Sequence, residues 1–169
     1  CRFSCIFAVL INQLTLHTFM RIAIIGAGAA GCFASIEIKR CLPQAEVTVY
    51  ESLKRPLAKV AITGGGRCNL TNSFQEVKSL EQVYPRGARL MKRLFHGFDF
   101  RDTYTWFESH GVRLVTQSDQ CIFPRSQDAM EIVDTLLREM NRYGVQLLTE
   151  HRVAEVKVET DERPTTAPD

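Results

Sequence analysis

The chain has 169 residues, 45% of them apolar, with 21 basic and 19 acidic side chains and a formal net charge of +2. That is enough apolar material for one globular domain with its own core, and too little charge imbalance for a protein that grips nucleic acid or an acidic membrane through its overall field. A small-molecule partner is the expectation that remains, with no nucleic-acid or membrane partner, and no run approaches the ~20 apolar residues of a membrane span.

The six cysteines, at 1, 5, 32, 41, 68 and 121, form no CxxC pair and no Cys/His cluster at metal-ligand spacing. No metal is expected, and free thiols point to the reducing cytoplasm. The sequence starts on Cys1, and the first convincing element starts at Met20. Residues 1–19 therefore read as an upstream extension, and their apolar run at 6–11 is too short, and lacks the small-residue cleavage site, for a signal peptide.

Residues 21–25 (RIAII) predict a strand that meets Gly26 at once, and residues 29–40, Ala-rich, predict a helix ending before Pro43. Residues 46–50 (EVTVY) predict a second strand ending on Glu51. A helix crossing between two strands makes them parallel with a right-handed connection, so residues 20–51 form a βαβ unit. Residues 52–73 hold too much Gly and Asn for an element interior and predict a loop. Residues 87–96 and 99–110 predict two helices, the second capped by Asp99 and stopped by Gly111. Residues 112–116 and 120–123 predict a hairpin around Ser118 and Asp119. From Ser126, taken as an N-cap, Ala129, Ile132, Val133, Leu136, Leu137 and Met140 recur at helical spacing until Gly144. Strands at 145–149 and 153–158 follow, and residues 159–169, acidic with Pro and Thr, read as a disordered tail.

Gly26, Gly28 and Gly31 fit GxGxxG between a strand and a helix. The first glycine permits the tight turn, the second lets backbone approach a pyrophosphate, and the third lets helix pack close on strand, with Ala29 and Ala30 opening the helix toward the phosphates. Glu51, and Ser52 beside it, stand 20 residues on, where a carboxylate accepts ribose hydroxyls and repels a 2′-phosphate. FAD and NAD share this fingerprint. The loop Gly64, Gly65, Gly66, Arg67, Cys68, Asn69 shifts the balance to FAD, because consecutive glycines expose main-chain donors to a flat or anionic group while Arg67 adds charge and Asn69 an amide.

The stretch from Ile62 to Asn72 (ITGGGRCNLTN), soon after the GxGxxG and acid pair, resembles the signature of the BaiN/YhiN-type FAD-dependent flavoproteins, the aminoacetone oxidase family. The segment Ile122-Phe123-Pro124 and the run from Ser126 to Leu137 resemble that family's next block, so the likeness runs from Met20 to about Val158. The resemblance implies an α/β fold, a Rossmann-like FAD-binding domain of the glutathione-reductase type on a parallel sheet, here incomplete at its C-terminus. Residues 20–158 would be its N-terminal part, with 74–125 a helix-plus-hairpin excursion. It also implies that Gly26, Gly28 and Gly31 cradle the pyrophosphate, Glu51 binds the adenosine ribose, residues 64–69 lie along the flavin, and Val153 holds adenine through its backbone. On this resemblance the chain is expected to lack the family's C-terminal flavin-completing segment, and the end after Glu159 is expected to resemble nothing in the family.

The implied activity is FAD-dependent oxidoreduction, a hydride passing between flavin and an organic substrate, with no side chain assigned as catalytic. An NAD-dependent dehydrogenase and a catalytically silent nucleotide-binding fragment are the rival readings; electron acceptor and oligomeric state are left open by the sequence. The other chemistry-bearing residues read as scaffold. Cys32 reads as a packed thiol and Cys68 as a buried thiol shaping its loop. His96, His110 and His151 read as surface histidines without a carboxylate partner, Arg86, Arg89, Lys92 and Arg93 as one solvated helix face, and Trp106 and Phe107 as core.

Overall fold

The computed structural model of the chain describes residues 20–158. The readings of residues 1–19 as an extension and of 159–169 as a tail lie outside them. Strand β1 (Arg21–Ile25), helix α1 (Ala29–Cys41) and strand β2 (Glu46–Tyr50) form the βαβ unit, with β1 and β2 parallel and Ile24 opposite Val49. Lys39 and Arg40 sit in the last turn of α1, where the helix dipole favours cations. The Lys39 ammonium donates to the carbonyls of Pro43 and Ala45 at 2.7 and 2.9 Å, which folds the chain back toward β2.

Helix α2 (Ala58–Gly66), strand β3 (Thr71–Asn72), helix α3 (Leu80–Val83), helix α4 (Ala88–Gly97), helix α5 (Phe100–Ser109) and strands β4 (Leu114–Thr116) and β5 (Cys121–Pro124) come next. Helix α6 (Ala129–Arg142) and strand β6 (Gln146–Leu148) complete the order. Two three-stranded sheets result: a parallel one, β1-β2-β6, and an antiparallel one, β3-β5-β4. This is a Rossmann-like α/β architecture, in which α1 packs on β1 and β2 of the parallel sheet and α6 packs against α1 and α2. The apolar face of α6, Ala129, Ile132, Val133, Leu136 and Met140, is buried in the common core, and full burial of each large side chain contributes about 1.5–3 kcal/mol.

Several elements depart from the sequence expectations. Residues 52–73 are not all loop: Ala58 to Ile62 form a helical turn, a short apolar helix-compatible run that the neighbouring glycines disguised. The helix then breaks at Thr63, Gly64 and Gly65, and Thr71–Asn72 pairs with β5 to make the hairpin a three-stranded sheet. Helix α6 is capped by Asp128, whose carboxylate accepts the Met130 N–H at 2.8 Å, and not by Ser126. Ser126 lies two residues earlier, accepting the Asp128 N–H and bonding to Glu131. No strand forms at 153–158. After His151 donates its N–H to the Glu51 carbonyl, no described strand runs alongside, and Val156 and Val158 stand exposed. Val153 thus does not open a strand.

Helix α5 follows its sequence signals closely. Asp99 accepts the N–H of Arg101 and Asp102, and Asp102 accepts the N–H of Asp99 in return, a reciprocal capping box. Phe107 is buried and Trp106 packs edge-on against Phe33 and Phe107, so both belong to the core as expected. His110 is not a bare surface histidine. It stacks on Trp106 at 4.0 Å, its Nδ1 lies 2.6 Å from the Trp106 carbonyl, and its Nε2 lies 3.8 Å from the buried Glu139 carboxylate. Among the described residues no helix is long and apolar enough to cross a membrane.

Candidate functional site

The turn between β1 and α1 is built as its glycines demand. Gly26 has φ +99°, which an L side chain rarely adopts, and its N–H donates to the Tyr50 carbonyl at 2.7 Å. At Gly31 an added Cβ would lie 2.0 Å from the Gly26 carbonyl oxygen, so this glycine is what lets α1 sit on the end of β1. At Gly28 an added Cβ would meet nothing within 4 Å. The N-terminus of α1 there has no capping side chain and no acidic residue in its first turn, leaving its positive end open.

Glu51, at the end of β2, turns its carboxylate back on this turn. Oε2 accepts the Ala27 N–H at 2.9 Å, Oε1 accepts the Leu53 N–H at 2.8 Å, and the Ser52 hydroxyl donates to Oε1 at 3.3 Å. These donors, the Leu53 and Ala27 N–H foremost, hold the Glu51 carboxyl below the usual carboxylate range, so it is a carboxylate at neutral pH. From the other side the Leu57 N–H donates to the Ala27 carbonyl at 2.8 Å. Leu57 is fully buried with φ +56°, an uncommon backbone for leucine that this bond and its packing hold in place.

A cleft of about 890 Å³ joins these parts. Residues 25–31 form one wall, Glu51 and the segment around Leu57 a second, and Thr63, Cys68, Asn69 and Leu70 a third, over a floor that includes Phe107, Ile132 and Leu136. Of the residues singled out from sequence, Gly26, Gly28, Ala29, Ala30, Gly31, Glu51, Cys68 and Asn69 therefore share one cavity. Ser52, Gly64, Gly65, Gly66, Arg67 and Val153 are not in its lining. Gly64, Gly65 and Gly66 all have positive φ and turn the chain, and an added Cβ on Gly64 would lie 2.9 Å from the Asn69 nitrogen. Arg67 points elsewhere: its Nε donates to the Gly64 carbonyl at 3.0 Å, and its guanidinium lies over the Phe123 ring at 4.5 Å.

Both buried thiols behave as packing. Burial pushes the Cys32 thiol up to about 12, with the Glu51 charge adding to it, and pushes Cys68 up to about 11. Arg67 does not reverse that for Cys68. Missed from the sequence were Arg55, Leu57 and Lys59, whose one signal was a pair of cations four and eight residues after the acid. Among the described residues no group of three or more His, Cys, Asp or Glu is placed to hold a metal ion.

A family model described as the HI0933-like protein Rossmann domain matches residues 20–167. The chain belongs to this family. The match runs past Val158 into the segment whose sequence was expected to resemble nothing in it. Among curated relatives, this family member is 33% identical over 138 residues to a 3-dehydro-bile acid delta(4,6)-reductase of Clostridium scindens, covering 82% of this chain and 33% of that protein. It is 31% identical over 122 residues to a ribosomal RNA dihydrouridine synthase of Escherichia coli, covering 72% of this chain and 29% of that protein. The chain thus spans about a third of the length of the curated relatives it matches. Among solved structures, THI4 of Thermovibrio ammonificans has a TM-score of 0.48 at 11% identity, over 77% of this chain and 38% of that one. The fold is established by the family match and the sheet order, independently of that likeness.

Proposed function

We propose that this chain is the part of an FAD-dependent oxidoreductase that holds the ADP half of the cofactor. The observation that carries the reading is the single cleft in which the glycine turn, Glu51 and Asn69 meet. The residues suit such a group: open space at Gly28 admits a pyrophosphate, the uncapped start of α1 offers N–H donors, and the Glu51 carboxylate keeps an acceptor position for a ribose hydroxyl. Asn69 presents an amide on the wall reached by the GGGRCN turn. A flavin held there supplies hydride chemistry at its N5. The protein's contribution on this stretch is binding and orientation, and no side chain here serves as acid or base. Val153, offering backbone to adenine, and the donors of Gly64 to Arg67 remain part of the proposal.

The relatives' names narrow the reaction class. One is a reductase acting at positions 4 and 6 of a 3-dehydro bile acid, the other forms dihydrouridine, and both names describe saturation of a carbon–carbon double bond. We take hydride delivery to such a double bond, polarised by a carbonyl, as the reaction, with a small molecule as substrate and the cytoplasm as compartment. Ribosomal RNA is the competing substrate on the second name, although the chain's charges nearly balance.

The test is to titrate the full chain with FAD and with NADH, following flavin and nicotinamide fluorescence. Tight FAD binding with weak NADH binding supports the proposal. The reverse order supports an NAD-dependent dehydrogenase. Bound FAD that no enone, uridine or uridine-containing RNA oxidises after chemical reduction leaves a silent nucleotide-binding fragment.

A further inference from the structure

The lining of the cleft carries three charged side chains: the carboxylate of Glu51 and two cations, Arg55 and Lys59. Their placement follows from one backbone bond. The Leu57 N–H donates to the carbonyl of Ala27, the residue between Gly26 and Gly28, so the chain from 55 to 59 is pinned against the phosphate turn. Arg55 and Lys59 stand two residues either side of that pin, and both side chains are exposed to the cavity. Neither has a hydrogen-bond or ion-pair partner among the described residues. The other basic side chains of the fold lie elsewhere: Arg67 is taken up by the Gly64 carbonyl and Phe123, and Arg40 by Glu37.

We propose that Arg55 and Lys59 are a cation clamp that closes on the diphosphate bridge of the bound dinucleotide from the side opposite α1. The inference rests on the proposed function, since it assigns these residues to the same ligand. Its physical basis is charge balance in a largely apolar cavity. A dinucleotide brings a doubly charged diphosphate, and an uncapped helix start supplies about half an elementary charge against it. Two cations on flexible stems supply the remainder without a fixed ion pair to break first. The division of labour is then explicit: Glu51 takes the neutral ribose hydroxyls, and Arg55 and Lys59 take the anion.

Calorimetric titration of the full chain with ADP, adenosine, adenosine 2′,5′-bisphosphate and FAD tests this on wild type, Arg55→Gln, Lys59→Gln and the double variant. ADP and FAD affinity falls about tenfold in each single variant and about a hundredfold in the double, while adenosine binding does not change. Arg55→Lys and Lys59→Arg, which keep the charge, retain ADP affinity within about threefold. A double variant that binds ADP like wild type, with wild type still binding FAD, overturns the clamp and leaves the proposed function standing. A wild type that binds neither FAD nor ADP overturns both. Equal losses for adenosine and ADP overturn the clamp in favour of a scaffold role. A loss confined to adenosine 2′,5′-bisphosphate assigns the cations to a 2′-phosphate and overturns it as well.

Discussion

The Glu51 carboxylate accepts the backbone N–H of Ala27 at 2.9 Å, which ties the end of β2 to the middle of the glycine turn between β1 and α1. A residue chosen from sequence for its reach toward a ribose thus also braces the turn proposed to face the phosphates. The two roles are compatible because a carboxylate has about four acceptor positions, and the Ala27, Leu53 and Ser52 donors use three.

That brace makes stability depend on pH. Glu51 is held below its ordinary value of 4.5, chiefly by the Leu53 N–H and then by the Ala27 N–H. A carboxyl lower in the folded than in the unfolded chain stabilises the fold above the unfolded value, and the stabilisation is lost as pH falls through the folded value. Wild-type Tm therefore drops more steeply than that of Glu51→Gln as pH is lowered below the ordinary value of 4.5, and the two curves converge once the folded-state carboxyl is protonated. Parallel curves across that range would remove Glu51 from the brace.

Gly31 and Gly28 separate scaffold from ligand. Gly31→Ala drives a methyl into the Gly26 carbonyl, where only backbone can move, and costs about 3 kcal/mol in a denaturant melt. Gly28→Ala enters open space from an ordinary extended backbone, φ −83° and ψ −176°, and costs under about 1 kcal/mol. Its effect falls on FAD affinity, lost by more than about tenfold as the methyl fills the approach to α1. A Gly28→Ala chain that binds FAD normally would place the phosphates elsewhere.

The βαβ unit and α6 are legible in the sequence because their signals are local: a β-branched run against a glycine, and apolar residues at helical spacing. The capping box of Asp99 and Asp102 is local too. What is hidden depends on distant partners. The two residues of β3 are a strand only because β5 offers them hydrogen bonds, and 153–158 has the composition of a strand without a neighbour. His110 and Glu139 meet only through the packing of α5 on α6. The same holds at the cleft, where Leu57 and its flanking cations enter through one backbone bond to Ala27 that no spacing announces. Arg67, read as a cofactor contact from its string, lies over the Phe123 ring and outside the cleft lining, a placement set by a side chain 56 residues away.

The cysteines divide by burial, and alkylation reads the division. At pH 8 a thiol at about 11 is only about one part in a thousand thiolate, and Cys32 and Cys68 are inaccessible besides. Iodoacetamide followed by peptide mapping labels the exposed Cys41 in the native chain, and labels Cys32 and Cys68 only after unfolding. Rapid native labelling of Cys68 would mean that the 64–69 turn opens and exposes its thiol as a reactive group.

Helix α5, which packs against β3 and β4, starts at a reciprocal cap. Asp99→Ala leaves the Arg101 and Asp102 N–H groups without their acceptor and costs about 1–2 kcal/mol. Asp99→Asn, which keeps an acceptor oxygen but not the charge at the helix start, costs less than about 1 kcal/mol. Because Asp102 returns the bond to the Asp99 N–H, the double variant Asp99→Ala with Asp102→Ala loses less than the two single variants added together. Urea melts of the four chains measure that difference. Strict additivity would mean that the two carboxylates act separately, and that the order of α5, hence the seating of Phe107 under the cleft, rests on burial alone.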